Sequence, residues 1–288
     1  MIDAFRRSAV LLRPIPANRD SSERSWMLRC AKHGRSKSAP LHLILALLLL
    51  PAALRAASAD VLLTIATDAD LQPLIAKLGS PHAETRAAWQ FWTGTLAGKQ
   101  VVLTRTEGDP LNAVAATTLA IRRYAPKLVV TIGAARAHDP ALKSGDVVVS
   151  NTFVAFDGLV SQPHGLGEGV HPLTWEILPH APMTPGEKEH YQTDFPADQA
   201  TLALALKLTP TRGRVIAGAL GSAPQINREA DRVAWIHKTW KTSCEDTESA
   251  HIAGCALLMR TPVIGLRIID GSPTETAPLA LQFLEALK

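Results

Sequence analysis

Six short aliphatic runs recur along the chain, with helix-patterned stretches between most of them. They are VLLTI (61–65), VVLT (101–104), LVVTI (128–132), DVVVSN (146–151), RVIAGAL (214–220) and PVIGLRII (262–269). Side chains alternate between the two faces of a strand, so an unbroken apolar run buries both faces. A sheet built from such runs must be covered on each side by helices. The pattern therefore predicts an α/β fold with three layers: a central mixed, largely parallel twisted sheet flanked by helices. In sheets of this kind ligands bind beyond the carboxyl ends of the strands.

The segments between the runs follow this scheme. LQPLIAKLGS reads as a helix stopping at Gly79, and AWQFWTGTLAGKQVVLTRTE as a hairpin turning at Gly98. PLNAVAATTLAIRRYAP is a helix opened by Pro110 and stopped by Pro126. KLVVTIGAARAHD is a strand that breaks into a small-residue loop. Residues 158–196 lack periodicity and are rich in Gly, Pro and His, which marks a long loop belonging to a site or an interface. NREADRVAWIHKTW is an amphipathic helix with Asn227 as its N-cap. APLALQFLEALK closes the chain as a helix.

The ends of the chain differ in charge. Ten of the 30 Lys/Arg residues and three of the 26 Asp/Glu residues precede Asp60, so the remainder carries 20 basic against 23 acidic side chains. The basic pI of 9.1 belongs to the leader, and the body offers no electrostatic reason to expect nucleic acid. Residues 1–59 read as a leader and 60–288 as a single domain, with Met27 as an alternative start. Basic Arg29, Lys32, Arg35 and Lys37 precede the apolar LHLILALLLL (41–50), and Ala57-Ser58-Ala59 offers a small-residue cut near Ala59. This is the pattern of an export signal spanning about 27–59, which implies a periplasmic or secreted protein. The alternative is an uncleaved anchor, the one route by which this chain would meet a membrane. Cys244 and Cys255 remain in the domain, where a bridge between them is permitted but not required. No His/Cys cluster has ligand spacing, so neither a metal nor another cofactor is expected. His138, His164, His171 and His237 are scattered, as surface residues are.

Asp70, Gly133–Arg136, Ser222–Ile226, Glu248 and Asp270 each follow the carboxyl end of an expected strand, so the fold can bring them to one cleft. Glu248, behind Glu245 and Asp246, reads either as a first-turn acid compensating the helix dipole or as an acceptor for a sugar diol. Asp270 heads Asp-Gly-Ser-Pro, which is turn chemistry, or stands as a general acid over a leaving group. Asp70 is a first-turn acid or a site carboxylate.

FWTGTLAGKQVVLTRTE (91–107), AHDPALKSGDVVVSN (137–151) and NREADRVAWIHKTWKTSCEDTESAHIA (227–253) with PVIGLRIIDGS together resemble the nucleoside phosphorylase/nucleosidase superfamily. The closest branch is the 5′-methylthioadenosine/S-adenosylhomocysteine nucleosidases. The resemblance implies hydrolysis of the N-glycosidic bond of a purine nucleoside through an oxocarbenium-like sugar, with a homodimer as the family's usual assembly. By position it makes Glu248 the ribose clamp with Thr247 beside it, Asp70 the water-activating acid and Arg267 the residue holding that water. Asp270 becomes the purine-protonating acid, and Ala134, Ala135, Arg136, Ala223, Gln225 and Ile226 the substrate-binding wall. The family writes Arg-x-x-Ser-Asp, whereas here Gly271 takes the final position and Asp270 comes one residue early. Its Gly-Ser-Ala-Gly loop is Gly133-Ala134-Ala135-Arg136, Asp109 replaces a glycine before Pro110, and the aromatic usual near Gln225 and Ile226 is absent. Rival readings are a phosphorylase using Arg136 or Arg105 for phosphate, a non-catalytic nucleoside-binding or storage protein, and a purely structural role.

Overall fold

A computed structural model describes residues 58–182, 188 and 190–287. The leader up to Ala57, including the start at Met27, the export signal and the anchor alternative, lies outside them. Ala59 is already part of the domain. It is buried, its N–H donates to the Tyr124 carbonyl at 2.9 Å, and its carbonyl accepts from the Lys127 N–H at 3.1 Å.

Along the chain β1 (Val61–Ile65) leads to α1 (Asp68–Ile75). The strands β2 (Gly79–Arg86), β3 (Trp89–Leu96) and β4 (Lys99–Arg105) follow, then α2 (Pro110–Tyr124) and β5 (Leu128–Ala137). Next come β6 (Val147–Ala155) and the short β7 (Leu159–Val160), β8 (Glu176–Ile177) and β9 (Asp194–Pro196), then α3 (Gln199–Ala205) and β10 (Val215–Ser222). The chain ends with α4 (Ala230–Trp240), β11 (Thr242–Asp246), α5 (Ser249–Leu258), β12 (Val263–Ile269) and α6 (Pro273–Ala286).

The expected architecture is present. The main sheet runs β11-β10-β6-β12-β5-β1-β4-β3-β2, and β1 pairs parallel with both β4 and β5. Every residue of β1 and β12 is buried, as their unbroken apolar runs require. Asp109 begins α2 by accepting from the N–H groups of Leu111 and Asn112, with Pro110 at the first helical position, where its missing N–H costs nothing.

Several details depart from the sequence reading. The stretch Gly133–Ala137 is strand, not loop. β5 pairs with β12 up to Ala135, opposite Ile269, then continues to meet β11 antiparallel at Arg136↔Glu245 and Ala137↔Cys244. Together with the pairings β12–β6, β6–β10 and β10–β11, this closes five strands into a ring. Strand β2 joins the β3–β4 hairpin although its polar sequence shows no strand pattern. Asn227 does not cap α4, whose N-cap is Glu229. Its side chain is drawn instead to a buried carboxylate described below. Cys244 and Cys255 are both free and buried.

Candidate active site

At the carboxyl ends of the ring strands lies a cavity of about 370 Å³. Its wall is made by the last turn of β5 (Ala134, Ala135, Arg136), the loop after β10 (Gln225, Ile226), the end of β11 with the start of α5 (Glu245–Glu248), and β12 with its exit (Arg267, Asp270). Ala66, after β1, completes it.

Glu248 is the most unusual of these residues. It is 1 % exposed, yet neither carboxylate oxygen accepts a hydrogen bond. Arg267 Nη2 stands 3.8 Å from Oε1, and the Thr106 hydroxyl donates to the Ile65 carbonyl at 3.1 Å. Burial pushes the carboxyl up to about 7, against the lowering pull of the Arg267 charge and the nearby Thr106 hydroxyl, while the Asp246 charge adds a smaller rise. Glu248 occupies the N-cap position of α5, but its side chain does not cap. The helix start is satisfied by Asp246, whose Oδ1 accepts from the N–H groups of Glu248 and Ser249, both at 2.9 Å. Ser222 Oγ accepts from the Ala250 N–H at 2.9 Å. The dipole-compensation reading of Glu248 thus belongs to Asp246.

Asp246 also fixes Arg267. The Arg267 Nε donates to Asp246 Oδ2 at 2.5 Å and to Ser249 Oγ at 3.1 Å, while Nη2 donates to Thr131 Oγ1 and Ser249 Oγ, both at 2.7 Å. Ser249 and Ser222 hydroxyls donate to the two Asp246 oxygens. Burial alone would raise the Asp246 carboxyl, but the Arg267 guanidinium and these hydroxyls hold it below the ordinary range. The remaining guanidinium nitrogen, Nη1, packs over Gly133, where a Cβ would stand 2.7 Å from it. Glycine at 133 is what admits the arginine beneath β5.

A third acid, Glu245, is 5 % exposed and fully engaged. It accepts from the Asn227 N–H at 2.9 Å and from Asn227 Nδ2 at 2.5 Å, and His138 Nε2 lies 3.0 Å from Oε2. The Nδ1 of His138 meets Thr242 Oγ1 at 2.7 Å. Burial would raise the Glu245 carboxyl, but His138 and Asn227 hold it low. Glu245 thereby pins the loop that carries Gln225 and Ile226. His138 is buried, not a surface residue.

Most of the expected wall is therefore assembled: Ala134, Ala135, Arg136, Gln225, Ile226, Thr247, Glu248, Arg267 and Asp270 all line the cavity. Asp270 is exposed, with φ of 47°, a left-handed conformation that Asp tolerates better than most residues. The Thr247 hydroxyl donates to the Gly108 carbonyl.

Two expected residues do not line the cavity. The Asp70 carboxylate accepts from Thr67 Oγ1 at 2.6 Å and from Thr276 Oγ1 at 2.7 Å, which fastens α1 to α6. Ala66, four residues earlier, reaches the cavity in its place. Ala223 is fully buried, its N–H directed to the Asp246 carbonyl at 3.3 Å. The described part of 158–196 does not reach this cavity either; His180 and Phe195 line a separate apolar hollow of about 380 Å³. Sequence reading passed over Ala66, Glu245 and Asp246 as wall residues. For Asp246 a signal existed: Asp followed three residues later by Ser, ahead of an apolar helix, is N-cap spelling.

The family model for the phosphorylase superfamily matches residues 60–286. The chain belongs to the phosphorylase superfamily. Within this superfamily it is similar to the 5′-methylthioadenosine/S-adenosylhomocysteine nucleosidase of Marinomonas sp. (strain MWYL1). The two are 25% identical over 218 residues, which is 75% of this chain and 87% of the relative. The nucleosidase of the same description from Bacillus cereus (strain G9842) is 27% identical over 224 residues, 76% of this chain and 89% of the relative. Solved superfamily structures share the fold. The Neisseria meningitidis nucleosidase in complex with methylthio-immucillin-A has a TM-score of 0.64 at 20% identity, covering 79% of this chain and 99% of its own. The Colwellia psychrerythraea enzyme in complex with adenine has a TM-score of 0.65 at 22% identity, covering 82% and 98%.

Proposed function

We propose that this superfamily member hydrolyses the N-glycosidic bond of a purine nucleoside of the methylthioadenosine or S-adenosylhomocysteine type. The observation that carries the reading is Glu248: a buried carboxylate, facing a cavity, whose oxygens accept no hydrogen bond from any described residue and whose one ion-pair contact, Arg267, is long at 3.8 Å. Leaving such a group unpaired costs several kcal/mol unless a ligand supplies donors. A ribose diol supplies two hydroxyl donors to an acceptor that has two oxygens and no proton of its own when ionised. The same charge stabilises the positive sugar that forms as the bond to the base breaks. Arg267, fixed by Asp246, Ser249 and Thr131, leaves Nη1 to orient the attacking water. Asp270, on the cavity wall, takes the role of the acid that protonates the departing purine.

The four wall carboxylates Glu245, Asp246, Glu248 and Asp270 outnumber the two wall arginines, Arg136 and Arg267, which favours water over a phosphate dianion as the nucleophile. One observation favours a second reading, nucleoside binding without turnover: Asp70, the acid assigned to water activation, is bound to two threonines outside the cavity. One assay separates the readings. Purified domain is incubated with a panel of purine nucleosides, with and without inorganic phosphate, and free base is quantified. Base release independent of phosphate, strongly reduced in Asp270→Asn, is expected. Tight binding without release would support the second reading, and neither binding nor release would remove both.

We also propose export, supported by the basic-then-apolar leader, with the cut near Ala59. N-terminal sequencing of the protein recovered from the expressing cell's periplasm tests this; an intact leader would refute it.

A further inference from the structure

We propose that Arg136 stabilises the departing purine, by donating hydrogen bonds to acceptor atoms on the edge of the base as the glycosidic bond breaks. The inference rests on the nucleosidase reading above and names a group that the reading does not use.

Arg267 spends its Nε and Nη2 on Asp246, Ser249 and Thr131. Arg105 is paired with Asp68 and Glu107, and Arg212 with Glu275. Arg136 lines the cavity, is exposed, and makes no hydrogen bond or ion pair with any described residue. Its place is nonetheless fixed. It sits on the extension of β5 that closes the strand ring, paired in register with Glu245. Glu245 in turn holds Asn227, and so the loop carrying Gln225 and Ile226. The backbone of Asp270 is tied to the same strand through Ala135, at 2.9 Å.

Among the described residues the cavity thus presents one carboxylate that accepts no hydrogen bond, Glu248, and one guanidinium that donates none, Arg136. A purine nucleoside is complementary to that pair: hydroxyl donors on the sugar, ring-nitrogen acceptors on the base. A guanidinium N–H suits a ring-nitrogen acceptor of adenine such as N7, and it carries a permanent positive charge. A phosphate fits less well, because four carboxylates against two guanidinium groups line the wall. A neutral base that gains negative charge only during cleavage meets the guanidinium when the attraction is greatest.

The step balances without any further reagent. The C1′–N9 bond breaks and its electron pair goes to the purine. The water oxygen bonds to C1′, and the proton that water loses ends on the departed base. Arg136 gains and loses no proton. This complements Asp270, which is displaced by one position from where the family places its proton donor.

The test compares wild-type protein with Arg136→Ala and Arg136→Lys on purine nucleosides whose bases differ in leaving ability. Arg136→Ala is expected to fold as the wild type does, with an unchanged melting temperature, because the side chain makes no hydrogen bond or ion pair with any described residue. Its kcat should fall about a hundredfold, the scale seen when one preorganised transition-state donor is removed. The loss should be larger for the poorer leaving groups, with partial recovery in Arg136→Lys. Equal loss across the series, a change in KM alone, or no change would each overturn the proposal. Phosphate-stimulated release that disappears in Arg136→Ala would also overturn it, in favour of an anion site. Should wild-type protein release no base at all, the hydrolytic reading fails separately. Arg136 is then judged by calorimetric binding of free purine, expected to weaken about tenfold in Arg136→Ala and refuted if unchanged.

Discussion

Replacing Glu248 by Gln removes a titrating group from the cavity while keeping its size. In the free protein burial sets this carboxyl at about 7, against an ordinary 4.5. At 1.36 kcal/mol per pH unit, the gap makes the ionised form about 3 kcal/mol less favourable in the fold than in the unfolded chain. The sign follows from linkage. An acid whose folded pKa is raised supports the fold while protonated, fully below pH 4.5, and that support is lost as pH rises through about 7. Between pH 5 and 8 wild-type stability should therefore fall by about 2–3 kcal/mol relative to Glu248→Gln. Urea denaturation of both proteins across that range measures the difference, and subtraction removes whatever the two proteins share. A flat difference would refute the claim that the carboxylate is buried without partners. Nucleoside should reverse the preference, because hydroxyl donors favour the charged form. Binding at pH 6 should then release a proton, detectable by titration calorimetry in buffers of different ionisation enthalpy. The Gln variant, with one acceptor oxygen fewer, should bind about 10- to 100-fold more weakly, the value of one hydrogen bond to a charged group. Proton-neutral binding by wild type would count against the ribose clamp.

Asp70→Ala should cost about 1–3 kcal/mol of stability by orphaning the Thr67 and Thr276 hydroxyls, while nucleoside affinity stays at the wild-type value; lost affinity at unchanged stability would return Asp70 to the cleft. Gly133→Ala should drive the Arg267 guanidinium off its bonds, lowering stability by about 1–3 kcal/mol and slowing base release; a variant as stable and active as wild type would show that the close approach is not needed.

The layered sheet was legible because burial on both faces leaves a plain mark: VLLTI and PVIGLRII contain almost nothing that a solvent-facing strand would carry. The positions following the strands were legible for the same reason, since topology alone sends them to one end of the sheet. What escaped the sequence was how polar side chains divide their partners. Asp70 and Glu248 are both acids after a strand, yet the neighbouring Thr67 and the distant Thr276 hydrogen-bond the first, and no described residue hydrogen-bonds the second. Thr276 lies 206 residues from Asp70, and no local pattern records such a pairing. His138 looked like a surface histidine because its partners Glu245 and Thr242 become neighbours only when β5 overruns β12. The ring closure was hidden likewise, since Gly-Ala-Ala-Arg has the composition of a loop and becomes strand only through its distant partner.

Asp246 ties three tasks to one side chain: it starts α5, neutralises Arg267 and underlies Glu248. No substitution there can retune the chemistry without also loosening the scaffold. Arg136, Gln225 and Asp270 share the same hollow, yet their side chains hold up nothing else. Inherited or engineered variation in what this protein accepts should therefore accumulate on that unburdened rim, while the floor beneath it stays as it is.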